Sequence, residues 1–236
     1  MYKLYQKNEL HFALAWIVSY VVLMSVADQI SSSLGMMKIL TAPFTIGMMF
    51  LLIFFLKKNH LYKEYGICKF QGRVKEYLYF IPLVIIMSVN LWNGIQVNYP
   101  FLEIVLFVIS MLCVGFIEEM LFRGFLFQAL LKDNDKTAYI ISSFTFGIGH
   151  LVNLLNGADF LPTLLQLCYA TALGFLFCIL FVKGKSLIPC IIVHSFINAT
   201  SIFGISSRGM NEIWISIFLC ILSISYAVWV NKKCDI

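Results

Sequence analysis

Two adjacent acids, Glu118 and Glu119, followed by Arg123, lie inside the mostly apolar stretch from Phe101 to Leu131. An ionised side chain near the centre of a bilayer costs about 2.5 to 3.5 kcal/mol even on the lenient insertion scale, so a charge held there asks for a partner and a function. Candidate partners are few. The chain has four histidines, and two of them, His150 and His194, also fall in apolar segments, the second four residues before Asn198; His11 and His60 lie at a segment end and in a basic loop. A carboxylate and an imidazole around one water are the parts that generate a nucleophile, and a low-dielectric site raises a carboxylate's proton affinity toward the range of a general base. A second imidazole and an amide opposite them can donate hydrogen bonds to a developing oxyanion. These are the parts of a hydrolase.

The elements that must position these groups are read from composition. Of 236 residues, 61% are hydrophobic and only 12% charged, against roughly 25% charged for an ordinary soluble domain. Apolar runs of about 17 to 25 residues match a hydrocarbon core of about 30 Å. Eight such runs are expected, at 11–30, 39–56, 78–95, 101–131, 137–155, 160–182, 187–204 and 212–230. The expected fold is therefore an all-α polytopic membrane helix bundle of about eight transmembrane helices, a single membrane domain over 1–236, with the site in its interior. The basic N-terminal run ending Ser25-Val26-Ala27 loosely resembles a signal peptide, but it is as long as a full span and is read as one. The seven cysteines are scattered without a C-x-x-C pair and read as small buried hydrophobes.

Charge placement tests the count, because Lys and Arg collect in cytoplasmic loops. Of the 17 basic residues, all but Lys38, Arg123 and Arg208 fall at the termini or in alternate loops on one side, six of them between Lys57 and Tyr77. Both termini are thus expected in the cytoplasm of a multi-pass cell-membrane protein. The net charge of +5 reports orientation and contact with anionic lipid, and excludes no membrane function while giving no reason to invoke nucleic acid.

Helix arithmetic asks whether the groups can meet. At a rise of about 1.5 Å per residue, Glu118 and His150 each lie about 20 Å from the expected cytoplasmic end of their helices, Asn198 about 16 Å and His194 about 10 Å. They can share one cavity. Glu119 and Arg123 are i,i+4, as are His194 and Asn198, whereas Glu118 is turned about 100° from Glu119. Glu119 is expected to neutralise Arg123, leaving Glu118 to face His150, and Gly147 and Gly149 to thin the helix for close approach of a neighbour. Taken singly, a buried Glu-Arg pair, a buried histidine or an i,i+4 His and Asn each has a purely structural reading. Their coincidence does not.

At these residues the sequence resembles the CAAX-protease and bacteriocin-processing (Abi) family of intramembrane endopeptidases. The family pattern is Glu-Glu-x-x-x-Arg, Phe-x-x-x-His, then His-x-x-x-Asn or Asp, matched here by Glu118, Glu119 and Arg123, by Phe146 and His150, and by His194 and Asn198, over roughly residues 100 to 200. The resemblance implies a fold related to the type II CAAX prenyl endopeptidase, with Glu118 and His150 activating water, His194 and Asn198 forming the oxyanion site, Glu119 in the catalytic group, and Arg123 and Phe146 in support. It implies a peptide or membrane-protein substrate, with peptide maturation or bacteriocin self-immunity among the roles. Glu118, His150 and His194 offer two imidazoles and a carboxylate for a zinc ion, while a metal-free glutamate and histidine pair accounts for the same residues.

Two other classes fit parts of this pattern. A non-proteolytic membrane regulator would use the polar core to bind a partner membrane protein such as a sensor kinase. A proton-coupled transporter would use Glu118 and His150 as a relay, but no inverted repeat or paired broken helices is evident. Under the hydrolase reading, the depths above put entry of substrate and water on the cytoplasmic side. The topology itself is tested by single cysteines near Lys63 and Lys132 in a cysteine-depleted variant, which should react with impermeant thiol reagents only after the membrane is opened, whereas one near Arg208 should react in intact cells. Labelling at Lys63 from outside would invert the orientation.

Overall fold

A computed structural model describes residues 2–205 and 209–234; Arg208, placed by charge in an outer loop, lies outside the described residues. Among the described residues the protein is all helical. A short α1 (Tyr2–Lys7) leads into α2 (Glu9–Ser33), capped by the Asn8 side chain, which accepts from the His11 N–H at 2.8 Å. Then come α3 (Thr41–Lys58), α4 (Ile81–Met87), α5 (Phe101–Leu131), α6 (Asp135–Gly149), α7 (Val152–Leu155), α8 (Phe160–Gly184), α9 (Ile188–Thr200) and α10 (Met210–Lys233). Asn134 caps α6 by accepting from the Thr137 N–H.

Six of the eight expected spans are helices long and apolar enough to cross a membrane, the segment from Asp135 to Leu155 counted as one. The other two are built of shorter pieces. The expected span 78–95 starts with Leu78, Tyr79 and Phe80 at φ of 50°, 50° and 59°, left-handed values that stop a helix of L-residues. Pro82 then opens α4, which ends after seven residues and gives way to a 3₁₀ turn at Val89–Leu91. The segment still runs from end to end of the bundle. Tyr226 Oη donates to the Tyr77 carbonyl near the basic C-terminus, and at the other end the Gln96 N–H donates to the Phe203 carbonyl. The expected span 187–204 is a 13-residue helix, α9, started by Pro189 and followed by a turn.

Helix α8 is the hub, packed against α6 on one side and α10 on the other, while α9 and α3 pack on α5. Two crossings are set by glycine. A Cβ on Gly115 of α5 would stand 2.5 Å from the Ser195 backbone nitrogen of α9, and one on Gly147 of α6 would fall on the Thr171 hydroxyl and 2.8 Å from the Leu167 carbonyl oxygen of α8. Small residues are what let helices approach this closely where lipid gives no hydrophobic drive. Gly147 thus behaves as its sequence position suggests. Gly149 does not, since a Cβ there would meet nothing closer than Phe122 Cζ at 4.0 Å.

The Gly115 crossing holds Ser195, and therefore its neighbour His194, against α5. Gly115→Val should destabilise the fold by about 1 to 3 kcal/mol, the usual cost of overpacking, read as a lower melting temperature in detergent. Gly47→Ala, at a helix position with nothing within 4 Å of the added carbon, is the control and should melt no lower than the wild type. Equal melting of all three proteins would contradict the packing described.

Candidate active site

The local helix geometry changes where the charges are. In α5 the α-helix passes at Met120 into a π-helical stretch, Met120–Phe127, that contains Arg123. Such a stretch shifts the backbone hydrogen bonds and is found preferentially at functional sites. It leaves carbonyls to be satisfied from outside, and Ser142 of α6 does so, donating from Oγ to the Phe122 carbonyl at 2.8 Å. Inside a bilayer that repair is obligatory.

Glu119 and Arg123 form the expected pair, Nη1 to Oε1 at 3.0 Å, with both side chains 0% exposed. The same Glu119 oxygen accepts from His194 Nδ1 at 2.7 Å. Arg123 lies over aromatic faces, its guanidinium carbon 4.0 Å from the Phe146 ring centre and 5.4 Å from that of Phe177. Those rings supply the cation with attraction where water cannot. Phe146 also stands edge-on to both imidazoles, 5.2 Å from His150 and 5.4 Å from His194 between ring centres. One phenyl ring therefore sets the places of three charged or titratable groups, which gives the aromatic position of the Phe-x-x-x-His motif a physical job.

Glu118 is placed differently. Its side chain is 17% exposed and lines a cavity of about 340 Å³ together with His150 and Asn198. His150 ends α6, and its Nδ1 lies 3.0 Å from the Phe146 carbonyl. A carbonyl only accepts, so Nδ1 carries a proton, and in the neutral ring Nε2 then holds the lone pair. Asn198 faces the same cavity from α9. His194, one turn earlier, is 6% exposed and is not on the cavity wall. It bridges the two acids, Nδ1 to Glu119 and Nε2 to Glu118 Oε2 at 3.5 Å. Every residue of the three motifs is thus brought into one cluster, with Glu118, His150 and Asn198 on the cavity and Glu119, Arg123 and His194 behind it.

Sequence reading missed Tyr20. This α2 residue donates from its hydroxyl to Glu118 Oε1 at 2.7 Å across 98 residues of chain. Its only signal was a phenol in the middle of an apolar span, and the first helices offered no motif against which to weigh it. Also missed were the polar residues further along the cavity, among them Asp28 and Lys38, whose ion pair is 2.8 Å long, and Asn90, Asn153 and Gln166.

The cavity runs toward the other end of the bundle from the expected entry. From Tyr20 it follows α2 to Asp28, about 12 Å; α5 contributes from its middle, Met111 to Phe122, and the remaining lining lies away from the Lys-rich loops, His150 to Asn156 beyond α6 and Asn198 and Ser201 on α9. It runs to the end of the bundle opposite those loops. The sequence estimate gave the depth of His150 but not the direction in which the cavity runs from it. Helix α6 has only 15 residues, about 22 Å, so His150 sits at its far end.

Among the described residues no three of His, Cys, Asp and Glu gather as a ligand set for a metal. His194 Nδ1 is held by Glu119 at 2.7 Å, which leaves Nε2 as the ring nitrogen facing Glu118.

Residues 100–200 match the family described as type II CAAX prenyl endopeptidase Rce1-like. No curated protein and no solved structure matches the chain. The matching stretch carries all the charged and imidazole groups of the cluster except the Tyr20 phenol and contains the glycine crossings that set them. The chain is a multi-pass membrane protein whose residues 100–200 are similar to the type II CAAX prenyl endopeptidase Rce1-like family.

Proposed function

We propose that the protein hydrolyses a peptide bond in its internal cavity, with Glu118 and His150 activating a water molecule, Asn198 stabilising the oxyanion, and His194 and Tyr20 holding Glu118 in place. The observation that carries this reading is the separation of the two acids: Glu119 is sealed and paired, while Glu118 shares the cavity with His150 and Asn198. A base must reach water, and of the two adjacent carboxylates Glu118 is the one on the cavity.

The steps in this reading use the chain's own side chains. Glu118 or the free Nε2 of His150 takes a proton from water as its oxygen attacks the carbonyl carbon. The tetrahedral oxyanion accepts from the Asn198 amide, which has no hydrogen bond to another described residue to give up. On collapse the C–N bond breaks and the proton passes to the leaving nitrogen, giving a carboxylate and an amine. His194 was grouped with Asn198 as an oxyanion donor by sequence; its hydrogen bond to Glu119 and its approach to Glu118 favour a positioning role.

Glu118→Ala and His150→Ala should each lower cleavage by about 10²- to 10⁴-fold, and Asn198→Ala by about 10²- to 10³-fold, while all three accumulate in the membrane like the wild type. The readout is fluorescence released from quenched peptides by the protein in liposomes. Undiminished cleavage by Glu118→Ala would end the protease reading and leave a partner-binding role.

Arg123 behaves as support. Arg123→Ala leaves Glu119 buried without its cation, which typically costs about 3 to 5 kcal/mol, so both folded yield and activity should fall. An Arg123→Ala protein that melts like the wild type yet is inactive would move Arg123 to substrate binding.

A further inference from the structure

Five carboxamides, on Asn90, Asn153, Asn156, Gln166 and Asn198, line one cavity whose other wall is apolar, with Val21, Met24, Val114 and Phe122 among its residues. Their hydrogen-bonding groups are only partly used within the protein. Asn153 Nδ2 donates to Gln166 Oε1 at 3.0 Å, which leaves the Asn153 carbonyl and the Gln166 amino group for a ligand. The side chains of Asn156 and Asn198 make no hydrogen bond to another described residue. Asn90 donates to the Ile197 carbonyl at 2.6 Å and to Thr200, which fixes it to α9. At the outer end Asp28, Lys38 and Thr41 form a charged, hydrogen-bonded group.

We propose that this cavity takes an unlipidated, extended polypeptide segment that enters from the end of the bundle opposite the basic loops and is held through its backbone by these carboxamides. The inference rests on the hydrolase reading above and names its substrate class. A carboxamide offers an acceptor and donors that pair with the N–H and the carbonyl of a peptide unit, so an extended strand satisfies the row of amides while its side chains lie on the apolar wall. An isoprenyl or acyl chain would strip water from the same groups and return no hydrogen bond. It would also have to pass Asp28 and Lys38. The strongly apolar groove of the molecule is elsewhere: it lies between α4 and α9, begins beside Cys68 and Lys69, and shares no lining residue with the cavity. By the distribution of Lys and Arg, the cavity end is the extracytoplasmic one.

The test uses the full-length protein in sealed liposomes and two probes: a degenerate library of quenched, unmodified decapeptides, and the same library ending in a farnesylated cysteine. Vesicles are sorted by whether a C-terminal tag is inside or outside. The expected result is cleavage of the unmodified library, abolished by Glu118→Ala, when the tag is inside, with no gain from the farnesyl group. Asn153→Leu and Gln166→Leu should each raise KM about tenfold and leave kcat within about twofold, the pattern of lost ground-state binding. Cleavage confined to the farnesylated library, cleavage only with the tag outside, or an unchanged KM in both amide variants would overturn this inference and leave the hydrolase reading standing. Failure of the wild type to cleave either library would overturn the hydrolase reading itself.

Discussion

One buried ion pair constrains the rest of this molecule. Glu119 and Arg123 are both fully enclosed at 3.0 Å, in a protein whose surroundings are hydrocarbon. Separated, either charge would be prohibitive there; together they are stable only if further groups complete their shells. The fold supplies some of them, while Glu119 Oε2 and Arg123 Nε and Nη2 have no hydrogen-bond partner among the described residues. His194 donates to the same Glu119 oxygen, and Phe146 and Phe177 lie under the guanidinium. For these groups to arrive, α9 must press on α5 at Gly115, and α6 on α8 at Gly147. The glycines, the aromatic ring and the imidazole are thus consequences of one electrostatic requirement.

That arrangement also separates the two adjacent acids. Because the pair claims Glu119, the neighbouring Glu118 is turned toward the cavity, where the Tyr20 hydroxyl bonds one of its oxygens and His194 approaches the other. The buried cluster and the reactive face therefore share a boundary that runs between two consecutive residues. His194 lies on that boundary and touches both acids, so stability and chemistry are coupled through it. A change on the buried side is expected to disturb both, a change on the cavity side only the second.

Much of this was legible in the chain because charge in an apolar span is costly and therefore informative. The Glu119–Arg123 pair, the clustering of Glu118 with His150 and Asn198, and the six long helices all follow from residue type and helical spacing. What was not legible depends on departures from regular helices. The run 78–95 is apolar enough for a span, but hydropathy is blind to the left-handed turn at Leu78–Phe80. The π-helical stretch Met120–Phe127 leaves no mark in a pattern read at 3.6 residues per turn. The depth of His150 along its helix was legible, but a depth along one helix does not say toward which end of the bundle a cavity runs. Tyr20 needed a contact between distant segments that no spacing rule reaches.

The most direct test of the central claim compares Glu118→Gln with Glu119→Gln in the same detergent or liposome preparation, measuring melting temperature and peptide cleavage for both. Glutamine keeps the shape of each side chain and removes its charge. Glu119→Gln should melt well below the wild type and lose activity with its fold, because Arg123 is left without a counter-charge. Glu118→Gln should melt like the wild type and fail to cleave. If Glu118→Gln proves the unstable variant, or Glu119→Gln melts and cleaves like the wild type, the assignment of one acid to structure and the other to chemistry is wrong.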